Sequence, residues 1–215
     1  MNRPSAEHPV FKLTRLALLA AIPAALGAQQ PSVELTPYVG LYLPTTTVIS
    51  QFEPACPCDV SLKHHTAFLA GARVLYWVND RFGLEATGAY SGSGVTATAS
   101  GMGAADTSAR VVLGGLRFIA RLNRPRATTA LLAGAGVGVV WHGGDFYDLA
   151  GATGTTDVGA SVMFGVRSRI GSHLAARLEF EDYLYSASFG PSPATAAQFQ
   201  HDFVVSLGLS VGFGG

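Results

Sequence analysis

The chain has 215 residues, enough for one ordinary domain. Only 13% of them are charged, 26 are glycine, the formal net charge is zero and the mean hydropathy is +0.31. That balance offers no basic tail or patch for nucleic acid and no acidic solvating run, and it is too apolar for an average soluble domain.

The N-terminus accounts for part of the apolar excess. Arg3, Lys12 and Arg15 precede the short apolar run Leu16–Leu26, and Ala28 supplies a small residue for cleavage. This is the layout of a secretory signal peptide over residues 1–28, with a mature chain beginning near Gln29. The run is shorter than the ~20 residues a membrane helix needs. No cysteine follows it that could carry a lipid. Once Arg3, Lys12, Arg15 and Glu7 drop out, 11 basic and 13 acidic residues remain. Beyond residue 28 nothing reads as a spanning helix. The best stretch, Thr129–Trp141, is short and broken by Gly and Ala.

What the mature chain shows instead is alternation with period two, the signature of strands with two unlike faces. In Val33–Leu43 the face Glu34, Thr36, Tyr38, Gly40, Tyr42 opposes Val33, Leu35, Pro37, Val39, Leu41, Leu43. The split recurs in Phe68–Trp77, Leu84–Tyr90, Arg110–Leu122, Leu131–His142, Asp157–Arg169, Arg177–Tyr185 and Asp202–Phe213. Eight such segments result, most of ten or more residues. Transmembrane strands need ~9–11 residues, against ~5–6 for typical globular strands. The connections alternate. Asn79–Gly83, Asn123–Thr128 and Gly171–His173 are short, whereas Pro44–His65, Ser91–Thr107, Gly143–Thr156 and Ser186–Gln198 are long. An even strand count with short turns at one end and long loops at the other is the pattern of an outer-membrane barrel.

The charges decide which face points inward. Glu34, Arg73, Glu85, Arg117, Arg121, Asp157, Arg167, Arg177, Glu179, Glu181 and Asp202 all fall on the polar faces. A solvated outer face would be rich in lysine, yet the mature chain has one lysine, Lys63, against ten arginines. Arginine suits buried, bidentate carboxylate pairs. The eleven residues are therefore expected to form a paired network in a narrow lumen. Aromatic residues on the apolar faces lie near strand ends: Phe68, Tyr76, Tyr90, Phe118, Trp141, Phe203 and Phe213. This matches interfacial girdles around an apolar band. The expected fold is all-β, an eight-stranded antiparallel transmembrane up-and-down barrel over residues 29–215. It must close, because hydrocarbon cannot satisfy an open sheet edge.

The eight segments, the hairpin Gly71–Tyr90 and the terminal stretch His201–Phe213 resemble the OmpA/OmpX-type small outer-membrane β-barrel family. The resemblance covers the mature chain and implies an outer-membrane location. It also implies partnership with outer-membrane lipids and recognition of the last strand by barrel-assembly machinery, although Gly214 and Gly215 follow the expected terminal Phe213. No peptidoglycan-binding domain is expected beyond the barrel, so a cell-wall tether is not implied.

Several chemistries can be weighed. The glycines of Gly134–Gly144 are spaced like a dinucleotide fingerprint, but they lie within a strand and no helix pattern follows. They read better as small lumen residues leaving room for Arg and Tyr. Glu179 and Glu181 could serve as acid and base, but among arginines they read as ion-paired. A lipid A-modifying enzyme would draw on His142 or His201 with Ser186 or Ser188, although no spacing links them. A pore would be narrow, because eight strands enclose room for side chains or one small ligand. The reading favoured is a non-enzymatic barrel with a structural, adhesive or surface-binding role carried by its long loops, with no catalytic residue and no cofactor. Cys56 and Cys58, the only cysteines, lie near His64 and His65 in the first long loop. An oxidising compartment favours a Cys56–Cys58 bridge over a metal site, and the spacing usual for structural zinc is missing.

Overall fold

The computed structural model describes residues 32–46, 49–53, 58–101, 103–125, 127–145, 155–187 and 198–213. The expected leader, residues 1–28, and Cys56 lie outside them, and with Cys56 the expected Cys56–Cys58 bridge. Ten strands follow in chain order: β1 Ser32–Pro44, β2 Ile49–Glu53, β3 Cys58–His64, β4 Ala67–Trp77, β5 Phe82–Ala99, β6 Gly103–Arg121, β7 Thr129–Gly143, β8 Thr155–Arg169, β9 Leu174–Ala187 and β10 Gln198–Phe213. No helix among these residues is long and apolar enough to cross a membrane.

Eight of the strands close a ring. Every sequential neighbour from β4 to β10 pairs antiparallel, β1 joins β4 on one side, and β10 joins β1 on the other. At the closing seam the β1–β10 ladder skips Thr36 and Pro37. Proline has no N–H to give to a ladder. On the lumen side the Thr36 and Ser210 hydroxyls hydrogen-bond at 2.7 Å and bridge the gap.

Two expectations about the loops need correction. The segment 44–65 is not all loop, because β2 and β3 form a hairpin that pairs onto the outer part of β5. Most of 91–107 is strand as well. β5 and β6 stay in register out to Ala99 opposite Gly103, with a turn at Gly101, where φ is +85°. Val95, Thr96, Thr98 and Thr107 are β-branched and favour this extended backbone. A sheet in the order β2-β3-β5-β6 therefore rises beyond the ring. The short turns fall where expected, between β4 and β5, β6 and β7, and β8 and β9.

The faces are inverted relative to a soluble barrel. Val39, Leu116, Val137, Val158, Leu207 and Leu209 point outward and are half or more exposed, whereas Arg73, Glu85, Arg117 and Arg177 are fully buried inside. Exposed aromatics lie toward both ends. Tyr76, Phe82, Phe118 and Phe213 flank the short-turn end, with Phe82 and Phe118 stacked at 5.4 Å. Phe68, Tyr90, Phe199 and Phe203 flank the other. Phe164 and Phe180 depart from the girdle pattern, facing each other across β8 and β9 nearer mid-strand. Trp141 is half-buried rather than fully outward.

An outward band of this kind belongs in hydrocarbon, where a charge at mid-depth is costly. Leu207→Arg, in the middle of β10, should destabilise the folded protein in lipid vesicles by ~2–4 kcal/mol. Equilibrium unfolding in guanidinium measures it. A change near zero would mean that this face meets water.

Candidate functional site

The lumen is filled at its centre by six charged side chains from four strands. β9 contributes Arg177, Glu179 and Glu181 from three successive inward positions. The adjacent strands β4, β5 and β6 contribute Arg73, Glu85 and Arg117. In the ring order β9 stands opposite β5, so the two sets meet across the lumen.

The contacts form a closed cycle of alternating charge. Arg73 Nε lies 2.8 Å from Glu179 Oε2, and Arg73 Nη2 also pairs with Glu181 Oε1. Glu181 Oε2 accepts from Arg117 Nη1 at 2.7 Å, and Arg117 Nη2 donates to Glu85 Oε1 at 2.8 Å. Glu85 Oε2 lies 2.6 Å from Arg177 Nη2, and Arg177 Nε returns to Glu179. Each arginine meets two glutamates and each glutamate two arginines, so the cycle is neutral. Arg73 also donates to Ser206 Oγ at 2.8 Å and stacks 3.5 Å over the Tyr38 ring. Pairing and planar stacking are what a buried guanidinium requires.

The strands between β6 and β9 make room by turning small residues inward. A Cβ on Gly165 would come 2.8 Å from Glu179 Cγ, and one on Gly138 would come 2.9 Å from the Tyr183 ring. The lumen glycines of β7 thus act partly as expected. Gly138 accommodates a tyrosine, Gly134 accommodates Ile119 and Met163, and Gly136 lets the backbone of Leu116 approach.

The remaining predicted residues also face the lumen or its mouths, but outside the cycle. Toward the short-turn end Arg167 Nε donates to Glu34 Oε2 at 2.9 Å, Trp77 Nε1 donates to Glu34 Oε1 at 2.8 Å, and Arg121 stacks 4.7 Å over Trp77. Toward the other end Asp202 Oδ2 accepts from Tyr185 at 2.6 Å and Tyr42 at 2.9 Å. There Asp157 lies 3.9 Å from His142, and the His142 ring stands 5.4 Å from that of His64. His64 therefore belongs to the outer mouth of the lumen rather than to a loop site with the cysteines, and its neighbour His65 faces the exterior. Burial lowers the His64 pKa to about 4, with the adjacent His65 adding to the shift. The imidazole stays neutral at ordinary pH. Among the described residues no three His, Cys, Asp or Glu side chains converge on a possible metal position.

The tyrosines and Trp77 were not singled out from sequence as part of the network. Tyr38, Tyr42, Tyr183 and Tyr185 carry the signal, since all four alternate in phase with the charged residues. One polar pair lies outside the barrel. His201 Nδ1 is 3.1 Å from Asp182 Oδ2, flanked by the rings of Phe199 and Phe203. Ser186 shares that outer face of β9, while Ser188 lies outside the described residues.

A closed eight-stranded ring with an apolar exterior and a charge-filled lumen defines a small transmembrane β-barrel. The sequence profile of the family described as "Outer membrane protein beta-barrel domain" matches residues 15–213, and the chain belongs to that family. It is an outer-membrane protein. Solved structures share the fold at low identity. The outer membrane protein OprG of Pseudomonas aeruginosa is 12% identical over 85% of this chain and 95% of its own, with a TM-score of 0.63. The outer membrane protein AlkL, solved in lipid bilayers, is 14% identical over 99% and 96%, with a TM-score of 0.56. Neisserial surface protein A is 13% identical over 86% and 97%, with a TM-score of 0.50. No curated protein sequence matches the chain.

Glu181 bridges two arginines in the cycle, so Glu181→Gln leaves Arg73 and Arg117 facing each other without their shared carboxylate. The loss should be ~3–5 kcal/mol of stability, the scale of a broken buried pair. Asp106→Asn, at an exposed position, should cost ~0–1 kcal/mol. Chemical denaturation of both variants in the same micelle or vesicle compares them directly. Equal losses would show that the cycle contributes nothing special.

Proposed function

We propose that the protein is a closed, non-catalytic barrel whose work is done by the sheet it raises above the outer rim. Its role is surface contact in adhesion or envelope integrity. The observation that carries this reading is the β2-β3-β5-β6 extension. Below it the Arg–Glu cycle occupies the lumen, which argues against a pore. Among the described residues, the β6 segment Gly103–Ala109, above the point where Arg110 begins to pair with β7, pairs only with β5. On the far side, again among the described residues, β2 pairs only with β3. An exposed strand edge offers a row of backbone donors and acceptors to an incoming chain, which is how β-augmentation recognises peptides.

Shortening the hairpin separates this role from the barrel. Replacing Ala97–Ala105 by Asn-Gly joins Thr96 to Asp106, which already face each other in register, through a turn suited to hairpins. The variant should still shift on gels between unheated and boiled samples. Cells displaying it should lose attachment to protein-coated surfaces by tenfold or more. Undiminished attachment would contradict the reading.

A second reading is favoured by one observation. The His201–Asp182 pair faces outward at the outer aromatic level, where a lipid headgroup would lie, with Ser186 two residues from Leu184, the cross-strand partner of His201. Such a group could serve a hydrolase acting on acyl esters of lipid A. Mass spectrometry of lipid A from cells expressing the wild type, Ser186→Ala or His201→Ala decides between the two. The non-catalytic reading expects the same acyl count in all three. Acyl loss with the wild type alone would establish the enzyme.

A further inference from the structure

Charge is distributed unevenly along the barrel axis. At the short-turn end the described residues include Arg81, Arg121, Arg124, Arg167 and Arg169 against only Glu34 and Asp80. At the opposite end the balance reverses, with Asp106, Asp145, Asp157, Asp182 and Asp202 against Lys63 and Arg110. The central cycle is neutral. The short-turn end, which faces the periplasm in barrels of this class, is therefore cationic. Glu34 and Asp80 offset two of the five described arginines, which leaves a formal excess of three positive charges there.

That end also holds a polar cleft of about 130 Å³, lined by Arg167, Arg169, His173, Ser172 and Leu174 and also by Glu34, whose carboxylate takes up Arg167 Nε, so that the Arg167 Nη groups, Arg169 and His173 are the donors for an anion. A water occupies ~30 Å³ of liquid, so the cleft has room for a compact oxyanion. Arginine forks match the oxygens of a phosphoryl group, and hydroxyls complete such a shell. The wall between the cleft and the surrounding lipid is low. Leu174 lines the cleft and is also exposed on the outer face, beside Ile170, Val211 and Phe213. Gly171 and Gly212 form the rim, and a Cβ on either would meet nothing closer than 3.6 Å. A headgroup can pass over these glycines while its acyl chains stay against the outer apolar residues.

We propose that the periplasmic mouth binds the phosphate of an anionic phospholipid of the inner leaflet, with Arg169, Arg167 and His173 holding the phosphoryl oxygens and Gly171 and Gly212 providing the entry. The site goes beyond the surface-contact role and is independent of it. It lies at the other end of the barrel and involves none of the hairpin residues.

Native mass spectrometry of the full mature protein, released from neutral detergent with added phosphatidylglycerol or phosphatidylcholine of the same chain length, tests the site. The wild type should retain one phosphatidylglycerol at least fivefold more often than phosphatidylcholine. Arg169→Gln/His173→Gln should bring the two to parity. Gly171→Leu, which raises the wall without touching a charge, should lower lipid retention but leave binding of inorganic phosphate unchanged. Retention of phosphatidylglycerol by the double variant at the wild-type level would overturn the proposal. Binding of inorganic phosphate with no preference between the two lipids would overturn it too, reducing the cleft to a free-anion site. Each variant is first checked for the heat-dependent gel shift. If the double variant fails to fold, Gly171→Leu and His173→Gln alone carry the test, and full lipid retention by both overturns the assignment.

Discussion

A wall of apolar strands can face lipid only if everything polar has been moved inside, and what is inside must then neutralise itself. That constraint is met by the cycle Arg73–Glu181–Arg117–Glu85–Arg177–Glu179. Taking six charges out of water costs several kcal/mol per ion after relaxation, and alternating pairing with good hydrogen bonds is what offsets it. The cycle also ties β9 to β4, β5 and β6 across the lumen, so it constrains the cross-section as well as the charge. An odd member would be worse than none, because a buried partner without its mate keeps the whole desolvation penalty.

The rest of the barrel is arranged around that filling. Long side chains come from four strands, and the strands between them turn small residues inward: Gly138 on β7, Ser161 and Gly165 on β8, Ser206 and Gly208 on β10. Tyr38 and Tyr183 pack against the cycle with their hydroxyls engaged. Farther out, apolar groups take over. Leu75, Ile119, Leu132 and Met163 cluster on the short-turn side, and Val111, Leu113, Val140 and Val204 on the other. The lumen is thus a layered core with a charged middle. Among the described residues the charges outside the cycle gather toward the two ends, with opposite formal sign.

The inward and outward faces were legible because a period of two can be read from a single strand. Glu85, Thr87 and Ala89 cannot face the same way as Leu84, Ala86 and Tyr90. Which arginine meets which glutamate was not legible. Partners across the lumen depend on the stagger of eight strands, and alternation carries no information about it. The same limit separated Asp157 and Asp202 from the cycle, since a face assignment does not say at what height a residue sits. The raised sheet was missed for a different reason. In Ser91–Thr107 the alternation is among Ser, Gly, Ala, Val and Thr, with neither lipid nor a thick core to sharpen the contrast, so a strand reads as a loop. Strands β2 and β3 are short, and in the sequence Pro54 and Pro57 stand between them, so the stretch reads as a turn region. Position near Cys56 and Cys58 made His64 look like part of a loop site, and only the pairing of β3 onto β5 turns it toward His142.

Current across a planar lipid bilayer measures most directly whether the lumen is closed by its own charges. A purified, refolded barrel with the cycle intact should insert without opening a sustained ohmic conductance at moderate voltage. Glu85→Gln, which releases Arg117 and Arg177 together, should raise the frequency of brief openings. A stable open channel in the wild-type protein would contradict the account, because an aqueous path cannot coexist with six fully buried, mutually paired side chains at the centre of an eight-stranded ring.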